Sequence, residues 1–124
     1  MASDVKTVLI VDDSSVSRMM VQNHISDQMP DWQFVHASSG VDALEKLKTV
    51  TPDLVTLDLN MPEMDGIEAA QRITEVCPTA RIAIVTANIQ DSMRRKLQGL
   101  GIFFVAVVEK PINEAGVRKI LFGM

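Results

Sequence analysis

Five short runs rich in Val, Ile and Leu recur along the chain at intervals of roughly 25 residues: Thr7 to Val11, Gln33 to His36, Leu54 to Leu57, Arg81 to Val85 and Phe103 to Val108. Most show no alternation of apolar and polar positions. A continuous apolar run bounded by polar turn residues is what a strand buried on both faces requires, so the runs predict a parallel sheet covered by helices. The segments between them carry helical patterns. Ser39 followed three residues later by Asp42 signals a helix start, and Ala43, Leu44 and Leu47 then form an apolar face until Pro52 forbids continuation. Ile67, Ala70, Ile73 and Cys77 recur at three- and four-residue steps before Pro78. A thinner line, Ile89, Met93, Leu97 and Leu100, predicts a fourth helix that buries little area and is weakly held. Val117, Ile120 and Leu121 mark a last helix starting at Asn113 or Glu114. Alternating strands and helices of these lengths make an α/β fold, a doubly wound (βα)5 unit with a five-stranded parallel sheet and right-handed crossovers.

With 124 residues, one domain spanning residues 1–124 is expected, without linker, repeat or low-complexity stretch. A net charge of −4 supplies no broad basic field for nucleic acid. No signal peptide precedes the first polar residues and no run is long enough to span a bilayer, so a cytoplasmic protein without membrane attachment is expected. Cys77 is the only cysteine, which excludes an internal disulfide and a structural zinc site. Its place in an apolar stripe assigns it to the core.

The chemistry sits where the strands end. Asp12 and Asp13 follow the first apolar run, Asp58 the third, Thr86 the fourth and Lys110 the last. In a parallel sheet those ends share one edge, where ligands bind near the point at which the winding reverses. Two carboxylates about 4 Å apart repel by roughly 4 kcal/mol at an effective dielectric near 20, so a cluster of three calls for raised pKa values or a bound cation. Mg2+ suits a few carboxylate oxygens with a carbonyl and waters, and Asp13, Asp58 and the main chain at Asn60 can supply them. A cation so held can recruit a phosphoryl group for attack by a carboxylate, with Thr86 and Lys110 available to phosphoryl oxygens. Helix capping explains an isolated Asp or Ser at such turns, but not the whole set.

The stretches VLIVDDSSVSR (8–18), DLVTLDLNMPEMDGIE (53–68), IVTA (84–87) and EKP (109–111) resemble the receiver domains of two-component response regulators, chemotaxis-type stand-alone receivers among them. The resemblance covers nearly the whole chain, and its middle stretch is the most specific. By analogy it implies a flavodoxin-like sheet with strand order 2-1-3-4-5. It further implies that Asp58 accepts a phosphoryl group from a histidine kinase or phosphotransfer protein. Asp13, Asp58 and the Asn60 carbonyl then hold Mg2+, with Asp12 acting through water. Thr86 turns toward the phosphate and Lys110 pairs with it. The resulting change is read by a separate effector protein on helix 4, strand 5 and helix 5. On this reading the chain is a signalling phosphoprotein, a monomer or weak dimer, that catalyses at most its own phosphotransfer and dephosphorylation. One departure stands out. Receivers usually carry Tyr or Phe three residues before the lysine, where this chain has Val107, and the stretch from Gly99 to Lys110 is about two or three residues longer than usual. A bulge or register shift is the way for Phe103 or Phe104 to take the ring's place. Phosphorylation is expected to survive, with an unusual output step.

Three other classes share part of this pattern. An aspartate-nucleophile phosphatase of the haloacid dehalogenase type needs a second acid where Asn60 stands, and a flavodoxin-like FMN binder needs a neutral first loop where Asp12 and Asp13 stand. A pseudo-receiver that binds partners without phosphoryl transfer is opposed by the intact acids and favoured by Val107. His24 and His36 lack neighbours at metal-ligand spacing and read as packing or surface residues, and Arg94, Arg95 and Lys96 as a solvated helix face. Trp32 reads as a core edge, and the methionines as gap fillers or an adaptable binding surface.

Overall fold

The computed structural model describes residues 5–61, 64–87 and 89–124. Its elements alternate as the apolar runs predict: β1 (Thr7–Val11), α1 (Ser15–Gln28), β2 (Gln33–Ala37), α2 (Gly40–Lys46), β3 (Leu54–Leu57), α3 (Gly66–Val76), β4 (Arg81–Thr86), α4 (Asp91–Gly99), β5 (Phe104–Glu109) and α5 (Glu114–Phe122). All pairings are parallel, and the strand order is 2-1-3-4-5. The reversal of winding therefore lies between β1 and β3. Among the described residues no helix is long and apolar enough to cross a membrane.

Successive strand residues feed two cores, as the period of two requires. Leu9, Val11, Val55, Leu57, Ile82 and Ile84 meet Ala43 of α2, Ala69, Ala70 and Ile73 of α3, and Leu97 of α4 on one face. On the other, Val8, Ile10, Leu54, Ala83 and Val85 meet Val21 and Ile25 of α1 and Val117 and Ile120 of α5. Cys77 is buried at the end of α3, in keeping with its stripe. Burying each large aliphatic side chain contributes about 1.5–3 kcal/mol, which is what fixes both helical layers onto the sheet.

Side-chain caps start four helices: Ser14 accepts from the Ser17 amide, Ser39 from Asp42, Asp65 from Glu68 and Asn113 from Gly116. The fourth helix has none, since Gln90 makes no side-chain cap bond, and it buries only Leu97. The weak hold expected from its thin stripe thus has two physical sources. The second helix ends earlier than Pro52 alone demands. Lys48 and Thr49 donate to carbonyls three residues back, at Glu45 and Lys46, and this tighter turn closes α2 after one and a half to two turns.

Gly66 shows why the D-G pair follows the acid. Its amide donates to the Leu59 carbonyl at 3.2 Å, and a Cβ there would collide with the Leu59 Cα and lie 2.9 Å from the Asp58 carbonyl. Gly66→Ala should therefore force the start of α3 off the backbone that carries Asp58. The expected loss is about 2–3 kcal/mol in urea unfolding, well beyond an ordinary Gly→Ala change in a helix.

The stretch before Lys110 contains a one-residue bulge. Ile82 pairs with Phe104 but Ala83 pairs with Ala106, so Val105 has no partner on β4. Val105 and Ala106 both pack toward the α5 side, while Phe104 and Val107 share the α4 side. Phe104 is nevertheless opposite Ile82, four positions before Thr86 and about 13 Å from it along the strand. Phe103 lies outside β5 and is 70% exposed. Neither ring reaches Thr86, so the bulge does not restore an aromatic beside it.

Candidate functional site

Four of the five strands deliver the predicted residues to one edge. Asp12 follows β1 directly, Asp58 follows β3, Thr86 is the last residue of β4 and Lys110 comes immediately after β5. Carboxylate oxygens of Asp12, Asp13 and Asp58 lie within 4.8 Å of one another. Asp12 and Asp58 are buried and Asp13 is exposed, which gives the cluster one solvent-facing side.

Lys110 bridges the two buried acids: its Nζ is 2.6 Å from Asp12 Oδ2 and 3.1 Å from Asp58 Oδ2. Burial pulls the pKa of this ammonium down, but its hydrogen bonds and charge contacts with Asp12 and Asp58 outweigh that, and the net displacement is upward from 10.5. Lys110 is therefore a fixed cation at any ordinary pH.

The remaining Asp58 oxygen, Oδ1, accepts from Thr86 Oγ1 and from the Asn60 amide, both at 3.1 Å. Thr86 is fully buried and its hydroxyl in turn accepts from Asn60 Nδ2 at 3.2 Å. Asp58 is thus oriented from both sides. The sequence singled out Asn60 for its carbonyl, whereas its amide and side chain are what fix Asp58 and Thr86; a residue two past an acid gives no sign of this until the turn is built.

Asp12 is held on every polar atom. Its N–H donates to the Ala37 carbonyl at 3.0 Å, its Oδ1 accepts from the Ser14 amide at 2.9 Å, and its carbonyl accepts from an Arg18 NH at 2.6 Å. Arg18 was not among the residues expected at the site. A lone Arg in a helix first turn carries no periodic signal that it folds back over the strand end.

His36 belongs to this support. Arg18 Nε donates to His36 Nδ1 at 3.3 Å, and His36 Nε2 lies 2.6 Å from Gln22 Oε1. An acceptor at Nδ1 and an acceptor partner at Nε2 fit the neutral tautomer protonated on Nε2. Burial, then Arg18, then Lys46, whose Nζ sits on the His36 carbonyl at 2.9 Å, push the imidazole below its ordinary 6.5. His36 is thus tied by Arg18 and Gln22 to the first helix. Because the folded form resists protonation, this contribution to stability is complete above pH 6.5 and is lost as pH falls from there through the lowered folded value. His36→Gln should flatten the unfolding free energy between about pH 7 and pH 5, and a slope unchanged from wild type would contradict the assignment.

Residues 8–122 match the response regulator receiver domain. The chain belongs to that family. It is 41% identical over 87 residues to the chemotaxis protein CheY of Listeria monocytogenes, covering 69% of this chain and 71% of that protein. It is 39% identical over 105 residues to a protein-glutamate methylesterase/protein-glutamine glutaminase of Syntrophus aciditrophicus, covering 84% of this chain but only 30% of that longer protein. Among solved structures, the chemotaxis protein CheY4 of Vibrio cholerae superposes with a TM-score of 0.80 at 28% identity, covering 95% of this chain and 97% of that one. The protein is a CheY-type receiver domain, which carries with it phosphorylation-dependent signalling.

Proposed function

We propose that Asp58 accepts a phosphoryl group from a histidine kinase or histidine phosphotransfer protein, and that the modified site alters binding to a downstream protein. The observation that supports this best is the treatment of Asp58: a buried carboxylate with a hydroxyl on one oxygen and an ammonium on the other, beside two further acids. Three carboxylates and one ammonium leave a formal charge of −2, and the donors are hard oxygens, so the set fits Mg2+. Asp13, Asp58 and the Asn60 carbonyl would hold the ion, with Asp12 reaching it through water. When bound, the ion neutralises phosphoryl oxygens during transfer.

An Asp58 oxygen forms the new P–O bond as the donor's bond to phosphorus breaks; a leaving imidazole takes up a proton, and a leaving acetate needs none. Lys110 is already within reach of the oxygens that the phosphoryl group would bring. Thr86 would exchange its bond to Asp58 for one to a phosphoryl oxygen. The chain turns over no external substrate on this reading and acts only on its own acyl phosphate.

A mostly apolar cleft of about 310 Å³ between α1 and the segment after β5, bordered by Met20, Val21, Lys110 and Pro111, adjoins the site and suits a phosphodonor helix. A second groove of about 230 Å³ between α4 and β5, bordered by Arg94, Leu97, Phe104 and Val107, suits the effector. With no ring beside Thr86, the output would run through α4, the least anchored helix, and not through an aromatic side chain. Incubation with acetyl phosphate and Mg2+ tests the proposal by intact mass: one phosphoryl adduct on Asp58, abolished by EDTA, is expected. An unmodified protein across all Mg2+ concentrations would leave a pseudo-receiver as the better reading.

A further inference from the structure

We propose that Arg18 is a positioning residue for the metal-binding acids, acting by clamping the peptide plane that joins Asp12 to Asp13. The inference rests on the reading above that Asp13 helps to hold a divalent cation. Asp13 is exposed and, among the described residues, its carboxylate makes no hydrogen bond that would aim it. Its direction therefore depends on the backbone that carries it. The Asp12 carbonyl belongs to the peptide unit leading into Asp13, and the short 2.6 Å bond from Arg18 fixes that carbonyl. Asp12 itself is pinned from the other side by Ala37, Ser14 and Lys110. Arg18 is the contact that passes this rigidity on to its neighbour.

The guanidinium is itself braced. Its Nε bonds to His36 on β2, and His36 bonds to Gln22 one turn further along α1. Two donors in a planar fork thus tie the β1–α1 turn to the edge strand, a geometry that an ammonium cannot copy. Such outer partners commonly change metal affinity by about ten- to a hundredfold when removed.

The sign of the effect separates positioning from simple charge. Arg18 is a cation beside a cation site, so if it acted only through its charge, Arg18→Met would tighten binding. As a clamp its removal weakens binding. Isothermal titration of Mg2+ into the metal-free protein reads this directly, without any phosphorylation step. Arg18→Met is expected to weaken Mg2+ binding at least about tenfold, with Arg18→Lys intermediate because it can still donate to the Asp12 carbonyl but cannot also hold His36. His36→Phe, which leaves Arg18 in place but unbraced, should show a smaller loss in the same direction. Faster amide exchange at Asp13 in metal-free Arg18→Met, with the core amides unchanged, would mark a local effect. Wild-type or tighter Mg2+ binding in Arg18→Met overturns the clamp while leaving the phosphoacceptor reading intact. No Mg2+ binding by the wild-type protein removes both.

Discussion

Asp58→Asn is expected to eliminate phosphoryl incorporation from acetyl phosphate, leaving intact mass unchanged where the wild type gains one adduct. The amide keeps the shape of the side chain and one oxygen for Thr86, so the loss would report chemistry and not collapse of the turn. Circular dichroism should show the same fold. Asn cannot attack phosphorus and removes one of the three negative charges that oppose each other within 4.8 Å, so Mg2+ affinity should fall as well. An adduct that persists in Asp58→Asn would move the acceptor to another residue and sink the proposed site.

Lys110→Met is expected to produce the largest change in stability. The ammonium sits between two buried acids at 2.6 and 3.1 Å, and removing it leaves Asp12 and Asp58 side by side without a counter-charge. Breaking a buried ion pair from one side costs about 3–5 kcal/mol, and with a fifth of the lysine side chain exposed the lower end applies, about 3 kcal/mol at neutral pH. The deficit should shrink in Mg2+, and urea unfolding with and without the ion measures the recovery. A loss that Mg2+ leaves untouched would mean that Lys110 acts by packing alone. In the wild type the sign at high pH is also fixed. The folded pKa lies above 10.5, so the stabilisation is complete below that value and disappears as pH rises through the folded one.

Most of this fold could be read from the chain because buried parallel strands show as unbroken apolar runs and amphipathic helices as a three- to four-residue period. Leu54 to Leu57 is apolar or nearly so throughout because both faces are covered, and Ile67, Ala70, Ile73 and Cys77 repeat because one face is. The site was legible for a related reason. Asp12, Asp58, Thr86 and Lys110 need no long-range knowledge beyond the rule that parallel strand ends share an edge. What escaped was set by contacts between distant segments. The grip of Arg18 on the Asp12 carbonyl depends on how α1 leaves β1, and the Asn60 amide on Thr86 depends on a turn that brings β3 beside β4. The surplus length before Lys110 announced an irregularity, but its location at Val105, too far from Thr86 to rescue an aromatic contact, is a matter of pairing with β4.

That irregularity lies on an outer strand, since β5 is the last member of the sheet. An unpaired margin is a template on which a stray extended segment can zip and seed larger deposits. A segment laid along β5 would fall out of step at Val105, where one carbonyl and amide pair is displaced from the ladder. The same insertion that leaves the site without a ring beside Thr86 also blunts the margin against unwanted self-association.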